Sequence, residues 1–393
     1  MRIGRLTLRP GHDRRLRAGH PWVFSNEVGQ IQEVVEEGDA VEVFTAGGDF
    51  LGTAYYNPRS LIAARLLSRR RESIDTAQFF DQRISAALHY REKFYPGEAA
   101  LRIVHGEGDA LPGLVVDRYG DILSVQFLTL GMERRRGQVL AALEEIFRPR
   151  AVVARNDAGV RELEGLPRQV EVLRGELPEH TVITEHGLSF RVDILGGQKT
   201  GQFLDQKENH LTLKNRVDGG RVLDLFCYSG SWALHAAHFG AREVVGVDIS
   251  AGAVALAEEN ARLNGREGTC SFIRADAFEL LRTLSREEER FGAVILDPPA
   301  FVKSRKKLPE AIKGYLTINR RAMELVEPGG WLVSCSCSHH LDRETFLGLL
   351  RKAAQQSRRS VHLVEMRGQA FDHPVLLACP ETEYLKCAVL HVS

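Results

Sequence analysis

The stretch RVLDLFCYSGSWALHAAHFGAREVVGVDIS, residues 221–250, decides the fold. An apolar run, RVLDLF, ends near Asp224. A loop closed by Gly230 follows, and then a helical pattern over 231–239. A second apolar run, EVVGVD, ends in Asp248. Apolar strands that alternate with amphipathic helices give a parallel, doubly wound sheet. The alternation continues to the end of the chain. The further strands are CSFIRAD, AVILDPP, WLVSCS, VHLVEM and YLKCAVLHV, and further helices are read over 251–264 and 310–325. No helix is evident between the sixth and seventh strands, so an antiparallel edge pair is expected.

Working back from residue 193, the chain separates into two more regions. Residues 1–72 hold short β-rich runs (VEVFTA, FLGTAYY, LIAARLL) broken by Gly, Asn and Pro, which reads as a small all-β domain. Residues 73–192 mix helix and strand. A helix is expected over 74–95, with Phe80, Ile84, Ala87 and Leu88 on one face and Pro96-Gly97 as the stop. The strands GLVVD, ILSVQFL and AVVARN follow, with a helix near 132–147. TVITEHGLSFRVDI closes this region as a hairpin turning at His186-Gly187.

The bulk numbers exclude several classes. The chain has 393 residues, 44% hydrophobic and 26% charged, with formal charge zero, so a tail-driven nucleic-acid binder is excluded but a local basic face is not. No apolar run approaches the roughly 20 residues of a membrane helix. The arginine-rich start lacks the apolar core of a secretory signal. The six cysteines fall mostly inside apolar runs, which fits reduced cytosolic thiols. A cytoplasmic location is the expectation.

In a doubly wound sheet the ligand sits outside the carboxyl ends of the strands. Asp224, Asp248 and Asp276 end successive strands there. The loop after Asp224 has too few glycines for a pyrophosphate, and its carboxylate suits a cationic group instead. Asp248 can take both hydroxyls of a ribose. Asp276 can accept from an exocyclic amine, although acids at strand ends also cap helices. The set describes a nucleoside that carries an amino-acid group and no phosphate: S-adenosylmethionine.

The fourth strand ends in LDPPAF, where Asp297, Pro298 and Pro299 form a rigid turn beside the switch point. The fifth ends in SCSCSHH. Cys335 and Cys337 share one side of an extended strand, with Ser334, Ser336 and Ser338 opposite. If the strand stops near Ser336, Cys335 is core and Cys337 enters the loop beside the Asp-Pro-Pro turn. Cys335, Cys337, His339 and His340 as metal ligands is disfavoured, because neighbouring residues rarely converge on one ion; no metal is expected. A thiol suits methylation of a pyrimidine C5, which is too weak a nucleophile until a thiolate adds at C6.

These residues resemble a known family: the class I methyltransferases that make 5-methylcytosine in 23S (large-subunit) ribosomal RNA and carry an N-terminal PUA domain. HPWVFSNEV (20–28), GEGDALPGLVVDRYGD (106–121), GQKTGQFLDQ (197–206), DLFCYSGSW, DIS, ADAF, DPPAF and SCS carry the resemblance. It implies a seven-stranded, mostly parallel Rossmann-like α/β domain over 193–393, behind a PUA-like RNA-binding domain (1–72) and an α+β middle domain (73–192). It implies Cys337 as nucleophile with Asp297, Pro298 and Pro299 at the reacting end. For the cofactor it implies Thr200, Gly201, Gln202, Phe203 and Asp205 as a covering segment. Asp224, Phe226, Gly230, Asp248, Ile249, Ser250, Asp276, Ala277, Phe278 and Asp297 would form the rest of that site. It also implies a homodimer. Two-cysteine RNA cytosine methyltransferases place a second thiol after the motif-four proline. This chain has Pro299-Ala300 there, so the base for the C5 proton is left open.

For RNA, Arg14, Arg15 and Arg17 form one basic group, and Lys303, Arg305, Lys306 and Lys307 form another just past the Asp-Pro-Pro turn. Arg69–71 and Arg134–136 are further clusters. A paired cytosine must be swung out to reach Cys337, with Phe301 available to stack on it or to pack behind the turn. Two alternatives stay open: methylation of a base amine (adenine N6 or guanine N2), and a non-catalytic RNA-binding ribosome-assembly factor.

Overall fold

The computed structural model describes residues 3–33, 36–301 and 308–393. The chain forms two compact units. The first holds residues to Thr181, together with Val192–Leu204 and Phe371–Thr382; the second holds Val182–Arg191, Asp205–Ala370 and Glu383–Ser393.

Among the described residues, the first unit contains two sheets, each with its own apolar core. A six-stranded sheet runs in the order Trp22–Val23, Ala64–Ser68, Phe50–Tyr56, Ala40–Phe44, Gly4–Leu8 and Val28–Gln32. Its core is built on Leu6, Val41, Val43, Ala54 and Leu66. A five-stranded sheet (Gln169–Gly175, Ala151–Asn156, Ile122–Phe127, Leu114–Tyr119, Ala100–His105) carries the helices Ala77–Glu92 and Arg136–Phe147. Phe80, Ile84 and Ala87 are buried as the periodicity requires, and Leu88 packs at the margin.

The second unit is the doubly wound sheet. Its strands are β1 (Arg221–Leu225), β2 (Glu243–Asp248), β3 (Cys270–Arg274), β4 (Phe291–Leu296), β5 (Val326–Ser336), β6 (Val361–Arg367) and β7 (Lys386–Val392). They lie in the order β3-β2-β1-β4-β5-β7-β6. The first five pair in parallel, while β7 runs antiparallel to both β5 and β6, as expected for the edge. The helices are α1 (Ser231–His238), α2 (Ala251–Leu263), α3 (Ala277–Arg286), α4 (Leu308–Leu325) and α5 (Arg343–Ser357). Val222, Leu223, Leu225, Val294, Ile295 and Leu296 are fully buried. Each such side chain contributes about 1.5–3 kcal/mol relative to exposure. The strand order reverses between β1 and β4, which sets the switch point beside Asp224 and Asp297.

Three segments group differently from the sequence reading. Residues 193–204, read as the start of the last domain, cluster with the first unit. The hairpin (Thr181–Glu185, Leu188–Val192) clusters, over Val182–Arg191, with the second unit and not with the middle region. Asn264 Oδ1 accepts from Ser189 N at 2.9 Å, and Asn260 Oδ1 accepts from Arg191 N at 2.8 Å. Residues 371–382, between β6 and β7, cluster with the first unit. There the buried Arg91 donates to Asp372 O at 2.8 Å, and Asp372 Oδ2 accepts from Arg102 N at 3.0 Å. Both ties are side chain to backbone, which apolar periodicity does not reveal.

Candidate active site

The carboxyl ends of β1, β2 and β4 bring Asp224, Asp248 and Asp297 together. Asp224 Oδ2 accepts from Ala233 N in α1 at 3.1 Å. Its Oδ1 is buried without a partner. Burial first, and then the neighbouring Asp297 and Asp248 charges, push its carboxyl well above the usual range. Asp248 accepts from Tyr228 N at 3.1 Å and from Ser250 N at 2.9 Å, one bond on each oxygen. The loop between Asp224 and α1 is strained to bring these groups in. Phe226 (φ 68°) and Tyr228 (φ 46°) occupy the left-handed region, which non-glycine residues enter at a cost of about 1–3 kcal/mol. Gly230 (φ 80°) starts α1, and a Cβ there would stand 3.1 Å from Ala257 and Phe272.

Asp276 caps α3, and Phe278 N (2.8 Å) and Glu279 N (3.0 Å) both bond its Oδ1. Capping uses one oxygen, so the cap and an acceptor role for the other are compatible. Ser250 caps α2, Ile249 is exposed, Ala277 is buried, and Phe278 packs against Phe301. Asp205 accepts from Tyr384 Oη at 2.5 Å.

Thr200, Gly201, Gln202 and Phe203 belong to the first unit, and Asp205 to the second. Thr200 donates to Asp117, which is itself held by a buried Arg102 ion pair at 2.7 Å. Tyr119 Oη accepts from Gln202 N at 3.1 Å. Lys199 lies 4.5 Å over the Phe203 ring.

At the reacting end, Asp297 Oδ2 accepts from Gln206 Nε2 (2.9 Å) and from Trp232 Nε1 (3.1 Å). Neither donor was expected from sequence. Pro298 is buried and Pro299 exposed. Strand β5 ends at Ser336. Cys335 is fully buried opposite Cys387, and burial foremost, then Cys387, raises its thiol pKa well above the ordinary range. Cys337 is half-buried, with Sγ 4.0 Å from Pro298 O. The serines face α4, as the alternation requires. Ser334 Oγ donates to Asn319 Oδ1 at 2.6 Å, and Ser336 and Ser338 share the Tyr315 hydroxyl at 3.0 and 3.1 Å. Phe301 packs behind the turn, 4.6 Å from Tyr315 and 5.9 Å from Phe278 by ring centroids. His339 and His340 are exposed loop residues, apart from the buried Cys335.

This edge belongs to a sheet of a defined type, and the comparisons agree. Residues 102–379 match the family described as S-adenosylmethionine-dependent methyltransferase, and residues 6–69 match a PUA-like domain. The chain belongs to the S-adenosylmethionine-dependent methyltransferases. It is 38% identical over 387 residues to a Klebsiella pneumoniae protein named ribosomal RNA large subunit methyltransferase I, covering 97% of this chain and 96% of that one. A Vibrio cholerae protein of the same name is 39% identical over 389 residues, covering 97% and 98%. A solved SAM-dependent methyltransferase from Streptococcus mutans has the same fold, with a TM-score of 0.85 at 22% identity over 99% of this chain and 100% of that one.

The residues present fit the cofactor. The orphaned, buried Asp224 oxygen stands among like charges, and an ammonium group would relieve that. Asp248 keeps lone pairs on both oxygens, which would suit a ribose, and Asp276 keeps one oxygen, which would suit an amine.

The basic clusters are less uniform than their sequence. Arg15 pairs with Glu27 at 3.0 Å, and Arg17 pairs with Asp13 and Asp49 at 2.6 Å; Arg14 is exposed without an ion pair among the described residues. Arg134, Arg135 and Arg136 are taken up by Glu36, Asp39, Asp75, Glu133 and Glu171. Lys303, Arg305, Lys306 and Lys307 lie outside the described residues. No described helix is long and apolar enough to cross a membrane.

Proposed function

We propose that this methyltransferase methylates C5 of a cytosine in 23S (large-subunit) ribosomal RNA through a Cys337–C6 adduct. The relatives' names supply the RNA class. One observation supports the chemistry: of six cysteines, Cys337 alone is half-exposed, and it stands against the Asp-Pro-Pro turn.

When bound, S-adenosylmethionine supplies an electrophilic methyl. The residues do the rest. The Cys337 thiolate forms a bond to C6, the C5=C6 π bond breaks, and its electron pair shifts to C5, delocalised through C4 to N3, which makes C5 nucleophilic. After C5 is alkylated, its proton leaves to a base, the electron pair re-forms C5=C6, and the S–C6 bond breaks to return the thiolate. Asp297, held on one oxygen by Gln206 and Trp232, orients the polar edge of the cytosine. Asp224, Asp248 and Asp276 would hold the cofactor's ammonium, ribose and adenine amine. In this reading Phe226, Gly230, Ile249, Ser250, Ala277 and Phe278 shape that pocket together with Asp205. The PUA-like domain brings Arg14 to the RNA. Homodimeric assembly and a cytoplasmic location belong to the same reading.

Mass mapping of ribosomal RNA from cells lacking the protein tests it. A single missing 5-methylcytosine, restored by the wild type and not by Cys337→Ser, is the expected result. A missing N6-methyladenine or N2-methylguanine would transfer the function to a base amine.

A further inference from the structure

Lys386 opens β7, a strand whose other residues are apolar except His391, with 5% of its surface exposed. Its backbone stands opposite Ser336 in the β5–β7 ladder. Its Nζ donates to Ser338 O at 2.8 Å and to Tyr384 O at 2.6 Å. The ammonium is thereby anchored on the residue after Cys337, while its strand faces the residue before it. Two carbonyls satisfy two of its three N–H groups. Among the described residues no carboxylate lies within ion-pair distance; Glu383 and Asp342 face it only at longer range. A buried cation without an anion is expensive, and proteins pair such groups.

We propose that Lys386 is the counter-ion that keeps Cys337 as a thiolate, resting on the reading of Cys337 as nucleophile. The thiol releases its proton to solvent, the ammonium keeps its own, and the pair persists until sulfur bonds to C6. When the S–C6 bond breaks, the same ammonium receives the leaving thiolate. Burial lowers Lys386 to about 8, and the Cys337 charge is the foremost influence in the opposite direction. The ammonium is therefore present at neutral pH. Tyr315, on α4, is another titratable group that faces the thiol; burial first raises its pKa, so it stays a neutral hydroxyl. Lys386 acts through Cys337 and is a positioning residue.

The test is the pH dependence of iodoacetamide alkylation at Cys337 in the full-length protein without RNA, read by peptide mass. The other five cysteines are buried. The wild-type midpoint is expected below the ordinary cysteine value of about 8.5. Lys386→Gln is expected to raise it by a unit or more, so that the rate at pH 7 falls about tenfold. Lys386→Arg is expected to stay within about twofold of wild type, because the charge is kept. A wild-type midpoint at or above 8.5, which needs no variant, overturns the proposal, as does a Lys386→Gln midpoint equal to wild type. Full methylation by Cys337→Ser would remove the nucleophile reading while leaving this titration to stand or fall by itself.

Discussion

Along its carboxyl edge the seven-stranded sheet changes sign. At β1 and β2, with β4 beside them, Asp224, Asp248 and Asp297 crowd like charges together, and one buried carboxylate oxygen lacks a donor. At β5 and β7 the excess is a buried ammonium beside a thiol. The acidic half holds a buried Asp224 oxygen without a donor, and the other half a buried ammonium with no carboxylate within ion-pair distance among the described residues. The acidic half matches a cationic amino-acid end. The basic half matches a thiolate. In the proposed reading, one scaffold edge would divide cofactor binding from nucleophile activation by the sign of the groups it gathers.

The largest break in this comparison is Cys337→Ala. It is expected to lower methylation by about 10³-fold or more while S-adenosylmethionine affinity stays within about twofold, measured by turnover and calorimetry. Asp224→Asn attacks the other half and is expected to weaken S-adenosylmethionine binding about 10- to 100-fold. The sign with pH follows from the raised carboxyl. The folded state holds the proton over a range where the unfolded state, near 3.9, has lost it. Stability of the cofactor-free protein therefore falls as pH rises from about 4 through the folded value, and cofactor affinity rises across the same window. Thermal melts and calorimetry against pH check both, and Asp224→Asn should flatten them.

Cys335→Ser sharpens the contrast between neighbours two residues apart. It is expected to cost about 1–3 kcal/mol of stability, because it buries a hydroxyl in an apolar strand, and to leave turnover within about threefold. The smallest effect belongs to the first unit. Arg14→Ala is expected to lower the salt dependence of RNA binding by about one phosphate contact, and Arg17→Ala by less, since Asp13 and Asp49 already hold that guanidinium. Fluorescence anisotropy over a salt series separates the two.

The fold was legible because β1, β2, β4 and β5 are largely apolar and alternate with amphipathic helices, and period and length suffice for such strands. The stop of β5 at Ser336 was also legible, from the loop residues that follow. Other features were hidden because they depend on partners far away in sequence. Gln206 and Trp232 meet Asp297 across 91 and 65 residues. The Arg134–136 run reads as a basic patch until five carboxylates converge on it. Lys386 did leave a signal, a lysine near the start of YLKCAVLHV, but its meaning required the β5–β7 register.

A covalent complex between the enzyme and an RNA containing 5-fluorocytosine measures the central claim most directly, since fluorine at C5 blocks release of the thiolate after methyl transfer. The account predicts an S-adenosylmethionine-dependent adduct mapped by mass to Cys337 and absent from Cys337→Ser. Turnover on the ordinary RNA with no such adduct, or an adduct on another residue, would contradict it.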